Sequence, residues 1–202
     1  MKIYGASGHG GVILDALLTG GIVVECFLDD APKLEFQGLK VYTPSSIKEN
    51  DNIVVAIGDN TIRKRVVRKL DKVSFFNVIH PKAIISDNVV FGDGAVVMAG
   101  VVVNQGAKIG SHVILNTKCS VDHDCVIEDF VHVSPGVTLC GGISIGQGTH
   151  IGAGVTVLPN IKIGENVIVG AGAVVTKNVA ARSTVVGNPA RPLLKSIDNK
   201  LL

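Results

Sequence analysis

From Ile79 onward the chain repeats every six residues. Ile79, Ile85, Phe91, Val97, Val103, Ile109, Leu115, Val121, Ile127, Val133, Leu139, Ile145, Ile151, Val157, Ile163, Val169 and Val175 are all large and apolar, and no insertion breaks the count. Four residues after each falls a second apolar position, mostly small or β-branched: Ala83, Val89, Ala95, Val101, Ala107, Val113, Cys119, Cys125, Val131 and Val137. Glycine often follows the first apolar residue, as at Gly92, Gly110, Gly146, Gly152, Gly164 and Gly170. A period of six with this chemistry predicts a parallel β-helix built from hexapeptide repeats. At three hexads per triangular coil, the seventeen hexads make between five and six coils. The period fails after Val179, so 180–202 reads as a tail, whose Gly187-Asn-Pro-Ala-Arg-Pro192 stretch is no continuous helix or central strand.

Residues 1–78 lack this period and alternate between strand and helix patterns. Lys2–Gly5 reads as a strand, Gly5-Ala-Ser-Gly-His-Gly-Gly11 as a glycine-rich turn, and Val12–Leu18 as a helix. Val23–Leu28 is a second strand ending in Asp29-Asp30, and Pro32 to Ser46 an irregular connection. Ile53–Ile57 is a third strand ending in Gly58-Asp59-Asn60, followed by a charged helix over Thr61–Leu70 and a last strand over Val73–Val78. Strand–turn–helix units in this order predict a parallel sheet with helices on its faces. Such sheets bind ligands at the carboxyl ends of their strands. The chain is therefore expected to hold a Rossmann-like α/β domain over 1–78, a β-helix over 79–179 and the tail.

Composition narrows the partners. The net charge of +2 gives no general pull towards nucleic acid or membranes. With two Tyr, six Phe and no Trp, platforms for stacking single strands are missing. No apolar run approaches the ~18 residues of a membrane span, and no charged-then-apolar leader precedes the first strand, so a cytoplasmic protein is expected. Cys119 and Cys125 fall on the inward column and read as core thiols. Cys26 lies in an apolar strand, Cys140 is the thiol off the core column, and no CxxC pair exists.

The opening Tyr-Gly-Ala-Ser-Gly-His-Gly, the uninterrupted prism, Gly-Asn-Pro-Ala, and Ile114-Leu-Asn-Thr…Val121-Asp-His-Asp-Cys-Val-Ile127 together resemble the bacterial nucleotide-sugar acetyltransferases. The nearest branch is the UDP-4-amino-sugar N-acetyltransferases, grouped with sialic acid O-acetyltransferases. The resemblance covers essentially the whole chain. It implies a left-handed prism, an exception to the usual crossover hand. It also implies a homotrimer with active sites between subunits, acetyl-CoA as co-substrate, and a UDP-linked 4-amino-4,6-dideoxy sugar as acceptor for surface glycan assembly.

Moving an acetyl group from a thioester to an amine requires a base, and a histidine suits that task near neutral pH. His123 sits third in its hexad, near a corner and pointing outward, between Asp122 and Asp124. By resemblance His123 is the general base. Asp124 stands where the family usually has Glu, as the group supporting it. Gly141 lies one coil later at the same hexad position, and the resemblance gives its amide the thioester carbonyl, an oxyanion donor. Ala153 and Ala171, one coil apart, are the further implied coenzyme A contacts, together with His132. His132 and His150 lie one coil apart on one face and should stack. Asn116 resembles an asparagine of the acceptor pocket. In the first domain Gly5-x-x-Gly8-x-Gly10 departs from the dinucleotide pattern. The resemblance gives this domain to the nucleotide sugar, with Ser7, Gly8 and His9 near phosphates or sugar and Asp29 and Asp30 on uracil or ribose. Ala56, Gly58, Asp59 and Arg63 would complete the pocket, Arg63 meeting the diphosphate or else lying on a solvated helix face. Two alternatives stand beside this reading: O-acetylation of a sialic-acid-like sugar by the same base, and a β-helix metal protein of carbonic anhydrase type using His123, His132 and His150, although no metal is expected.

Overall fold

The computed structural model describes residues 1–31 and 34–193. In the first domain six short strands form one sheet: β1 (Lys2–Tyr4), β2 (Cys26–Leu28), β3 (Glu35–Phe36), β4 (Leu39–Tyr42), β5 (Asn52–Val55) and β6 (Ser74–Phe75), in the order β3-β4-β2-β1-β5-β6. All pairs are parallel except β3 with β4. Helices α1 (Gly8–Thr19) and α2 (Asn60–Lys69) follow β1 and β5. The connection expected to be irregular after Pro32 thus contains a hairpin, and its second strand extends the sheet beside β2. Strands of two to four residues with half-exposed sides carry too little apolar pattern to stand out in sequence. Likewise α1 begins at Gly8, not Val12. Its first turn is the glycine-rich segment itself, because only glycine fits at position 10, where a Cβ would overlap the Gly5 carbonyl oxygen.

From Val78–Ile79 the chain winds as a three-faced prism in which each strand pairs in parallel with the one 18 residues later, as Val96↔Ile114 and Ser120↔Thr138. We name the faces in the order the chain meets them. The first runs from Val78–Ile79 through His132–Val133 and His150–Ile151 to Thr184–Val186, the second from Ile84–Ile85 to Val174–Val175, and the third from Val90–Phe91 to Lys162–Ile163. Both apolar columns point inward: Val97, Leu115, Val133 and Ile151 are at most 1% exposed, as are Val113, Cys119, Cys125 and Val131. The first coil is the open end, where Ile79 is exposed. Thr149 occupies the small inward column without leaving polar atoms unmatched, since its hydroxyl donates to Gly164 O and accepts from Val167 N. The segment expected as a tail carries two further strands, Thr184–Val186 in register with Ile168–Val169 and Arg191–Pro192 antiparallel to it. Val179, the last residue of the expected prism, bridges Ile163, and Val185 in the expected tail points inward, so the ladder continues after the hexad count slips. The rest of the expected tail, 194–202, lies outside the described residues.

The first domain is seated on the first face. Outward residues Val78, Val96 and Ile114, on successive coils, are buried with Ile3, Leu14 and Leu17 in one continuous core. At the equivalent outward positions the neighbouring faces mix polar and apolar residues, Ile84, Val102, Ser120 and Thr138 on the second and Val90, Lys108, Val126 and Ser144 on the third, and Ile84, Val90 and Val126 stay exposed. Among the described residues no helix is long and apolar enough to cross a membrane.

Candidate active site

His123 lies on the corner between the second and third faces, in the turn between Ser120–Val121 and Val126–Ile127. Asp124, with φ +58°, holds the left-handed turn position, which asparagine and aspartate tolerate better than most residues. Its Oδ2 sits 2.9 Å from His123 Nδ1. The short aspartate side chain therefore reaches the ring within hydrogen-bond distance. A carboxylate at Nδ1 accepts a hydrogen bond from the ring N–H there, which keeps the proton on Nδ1 and leaves the lone pair on Nε2. Nε2 points at Gly141 on the next coil, where any Cβ would overlap it. The glycine is the space the base needs. Asp122 does a second job: its Oδ1 accepts from the backbone N–H of His123 and from Asn104 Nδ2, each at 2.8 Å. The Asp124 hydrogen bond, helped by the charge of Asp122, raises the His123 pKa above its ordinary value, while Asn104 and the His123 amide lower that of Asp122. A polar recess of about 330 Å³ opens here, lined by Ser86, Asn104, Gln105, Asp122 and His123. Ser86, Asn104 and Gln105 were missed in sequence. The signal was present, because Asn104 and Gln105 stand 18 residues before Asp122 and His123 and Ser86 a further coil before Asn104.

A second cluster forms where the first domain meets the first face. A cavity of about 270 Å³ is walled by Gly58, Asp59, Asn60 and Thr61 on one side and by His132, Gly148, His150 and Ile168 on the other. The rings of His132 and His150 stack, as expected, with centroids 4.9 Å apart and 5° between planes. His9, from the first turn of α1, faces His132 at 6.4 Å, and its buried Nε2 has no protein partner. A carbonyl can only accept, so the 3.1 Å contact to Gly58 O makes His132 an Nδ1–H donor. Its Nε2 then accepts from Asn116 Nδ2 at 3.2 Å. Burial lowers His9 to about 4, helped by the Arg63 charge, and lowers His132 to about 3, helped by His150 and then Arg63 and opposed by the Gly58 hydrogen bond. These imidazoles are neutral at physiological pH.

The remaining expected contacts divide. Ser7 and Gly8 are exposed at the N-terminus of α1, a position suited to an anion. Asp29 is a brace: its oxygens accept from Ala6 N at 2.8 Å and Ala31 N at 2.9 Å. Asp30 accepts from the Tyr4 hydroxyl at 3.0 Å. Ala56 is fully buried, and its carbonyl packs beneath Gly5. Arg63 requires a correction. It is 1% exposed, and its N–H groups all go to protein oxygens: His112 O, Ile57 O, Gly58 O, Asn60 Oδ1 and Phe130 O. It is neither a solvated helix residue nor free to meet a diphosphate, because Arg63 turns inward onto a prism corner while Arg65, Arg68 and Lys69 of the same helix stay exposed. Ala153 and Ala171 are exposed on the corner between the first and second faces, one coil apart. Of the expected coenzyme A contacts, His132 thus lies on the first face, Ala153 and Ala171 on the corner beside it, and Gly141 on the far corner between the second and third faces. His123 lies on the edge opposite the face that carries the first domain. Cys140 is half-buried beside Gly141, and the other three cysteines are buried. Among the described residues, no group of three His, Cys, Asp or Glu side chains converges to hold a metal.

Residues 1–70 match the PglD N-terminal domain, and residues 142–177 the bacterial transferase hexapeptide of six repeats. A crystal structure of a perosamine N-acetyltransferase mutant from Caulobacter crescentus, in complex with CoA and GDP-perosamine, superposes with a TM-score of 0.91 at 34% identity over 96% of both chains. The acetyltransferase domain of PglB from Neisseria gonorrhoeae, in complex with acetyl coenzyme A, gives 0.91 at 37% identity over 95% of this chain and 98% of that one. UDP-N-acetylbacillosamine N-acetyltransferase of Bacillus subtilis is 38% identical over 110 residues, 49% of this chain and 51% of that protein. GDP-perosamine N-acetyltransferase of Escherichia coli O157:H7 is 37% identical over 93 residues, 45% of this chain and 42% of that protein. The matched stretches thus span about half the length of these curated relatives or less. Fold and repeat define a hexapeptide-repeat transferase, an α/β domain followed by a left-handed parallel β-helix. Within that class the chain belongs to the bacterial nucleotide-sugar acetyltransferase family.

Proposed function

We propose that this protein transfers the acetyl group of acetyl-CoA to the amine of a nucleotide-linked 4-amino-4,6-dideoxy sugar, with UDP as the nucleotide, in surface glycan assembly. The observation that carries this reading is the His123–Asp124 pair, with Nε2 open over Gly141, in a chain matched over 96% of its length by a structure in complex with CoA and GDP-perosamine. Nε2 takes the ammonium proton. The amine attacks the thioester carbonyl, the C–S bond breaks, the departing sulfur of coenzyme A takes the proton held on His123, and the attacking nitrogen releases its second proton to solvent, leaving the neutral amide and thiol. The Gly141 amide steadies the oxyanion that forms between those events.

The two clusters belong to one site only when two copies of the chain meet. His123 and Gly141 would come from one protomer. The interdomain cavity, Asn116, His132, Ala153 and Ala171 would come from its neighbour. The separation of His123 and Gly141 from His132, Ala153 and Ala171 within one chain supports this homotrimer arrangement. The unpartnered His9 Nε2 and the free amides at the start of α1 would receive polar atoms of the nucleotide sugar.

The deciding assay measures release of free thiol from acetyl-CoA against a panel of UDP-, GDP- and dTDP-linked amino sugars, with a sialic acid as hydroxyl control. Turnover on a UDP-linked amino sugar is expected. Turnover on the sialic acid alone would replace this reading with O-acetylation. Replacing His123 with Ala should lower turnover by roughly 10²–10⁴ while leaving the melting temperature in place, and a fully active variant would remove His123 from the mechanism.

A further inference from the structure

Three successive coils present turn carbonyls where α2 meets the prism. His112 (φ +55°), Phe130 (φ +57°) and Gly148 (φ +70°) share one column of left-handed turn positions, 18 residues apart. Two side chains of α2 take the oxygens of all three. Arg63 bonds His112 O and Phe130 O, each at 3.0 Å. Asn60 Nδ2 bonds Gly148 O at 3.0 Å, and its Oδ1 accepts from Arg63 at 2.7 Å. The remaining Arg63 donors hold Ile57 O at 2.8 Å and Gly58 O at 3.1 Å. Among the described residues Arg63 makes no ion pair. A buried cation is costly, and here only the Asp59 charge, beyond ion-pair distance, offsets the burial. Gly58 O is the link, because it accepts from Arg63 and from His132 Nδ1 together.

We propose that Arg63 is a positioning residue of the interdomain site: it anchors the Gly58 carbonyl to the prism and thereby holds His132 as the Nδ1–H tautomer, with its Nε2 lone pair directed at Asn116. This rests on reading that cavity as the nucleotide-sugar side of the active site. The charge acts in the same direction. His132 is faced by Arg63 and Asp59 from α2, His9 from α1 and His150 from the next coil. Burial is the main reason that these three histidines stay neutral, and the Arg63 cation further disfavours a proton on each of them.

The test uses full-length protein labelled with ¹⁵N-histidine, with His132→Gln to assign the resonance, and compares wild type, Arg63→Lys and Arg63→Met after each has been checked for a cooperative melt. Wild type should show His132 as the Nδ1–H tautomer, uncharged well below pH 6. Arg63→Lys keeps the charge but cannot reach five oxygens, so it should mix tautomers. Arg63→Met should mix them and also move the His132 midpoint up. In the thiol-release assay Arg63→Lys should raise KM for the nucleotide sugar roughly 10-fold and change kcat much less. A folded Arg63→Lys with one tautomer and an unchanged KM overturns the proposal. If neither Arg63 variant folds, Asn60→Ala carries the test: partial tautomer mixing upholds the proposal and a wild-type spectrum overturns it. Should wild type acetylate no nucleotide sugar, the proposed function falls, while the tautomer measurement still decides the role of Arg63.

Discussion

At the scale of single residues, the base is tuned from two sides. Asp124 holds Nδ1–H and Asp122 holds the backbone amide, so the imidazole is oriented and its proton affinity raised. The active form is the neutral one. Activity therefore rises with pH through the His123 pKa, which lies above the ordinary 6.5. Asp124→Asn removes the largest cause of that rise. The acid limb of kcat/KM should move to lower pH, while the plateau falls because the amide no longer fixes the tautomer. A limb unchanged in a pH–rate profile would show that Asp124 does not act on the base. Gly141→Ala probes the same site sterically. The added methyl meets the far end of an exposed side chain, which can swing aside, so the melting temperature should hold while turnover drops. A large loss of stability in a thermal melt would contradict this account.

At the scale of the element, glycine does two different jobs in one hexad. Gly152 follows the inward Ile151, and a Cβ there would stand 2.6 Å from Ala171 N and 2.7 Å from Val169 O of the next coil. Its role is close approach between coils. Two residues on, Gly154 has φ +67° with nothing within 4 Å of a Cβ, and its role is the left-handed turn. Gly152→Ala should cost roughly 1–3 kcal/mol by overpacking. Gly154→Asn should be close to neutral, since asparagine occupies the equivalent turn position at Asn160 and Asn166. Denaturant unfolding of the two variants measures the difference, and equal costs would refute the division. The repeat made glycine after the apolar residue visible in sequence, but not why it is there, because the reason lies in a coil 18 residues away.

At the scale of the molecule, the prism was legible because one period runs without interruption through it, and the His123–Asp124 pair because adjacent residues on a corner need no long-range information. The seating of the first domain was not. It depends on Arg63 meeting His112 and Phe130, Phe75 meeting His112, and Asn60 meeting Gly148, and nothing local in a run such as Arg63-Lys-Arg-Val-Val-Arg68 tells which cation turns inward. That interface also sets how the protein responds to acid. His9, His112 and His132 are held neutral in the folded state, near 4, 4 and 3, chiefly by burial. Their folded pKa values lie below the ordinary 6.5, so as pH falls the unfolded chain binds protons first. Stability is full above about pH 6.5 and is lost as pH drops towards 4, by up to about 1.4 kcal/mol per pH unit for each site. His123 has the opposite sign, but it is exposed and solvent screens its contribution. Thermal melts from pH 7.5 to 4.5 should show the melting temperature falling ever more steeply below pH 6.5. His112→Phe should flatten that fall by one site's share. The substitution suits the position: Phe130 already occupies the same turn conformation one coil later and stacks on His112 with centroids 5.1 Å apart. A melting temperature that stays level to pH 4.5, or a His112→Phe slope identical to wild type, would mean that the interface histidines do not govern acid stability.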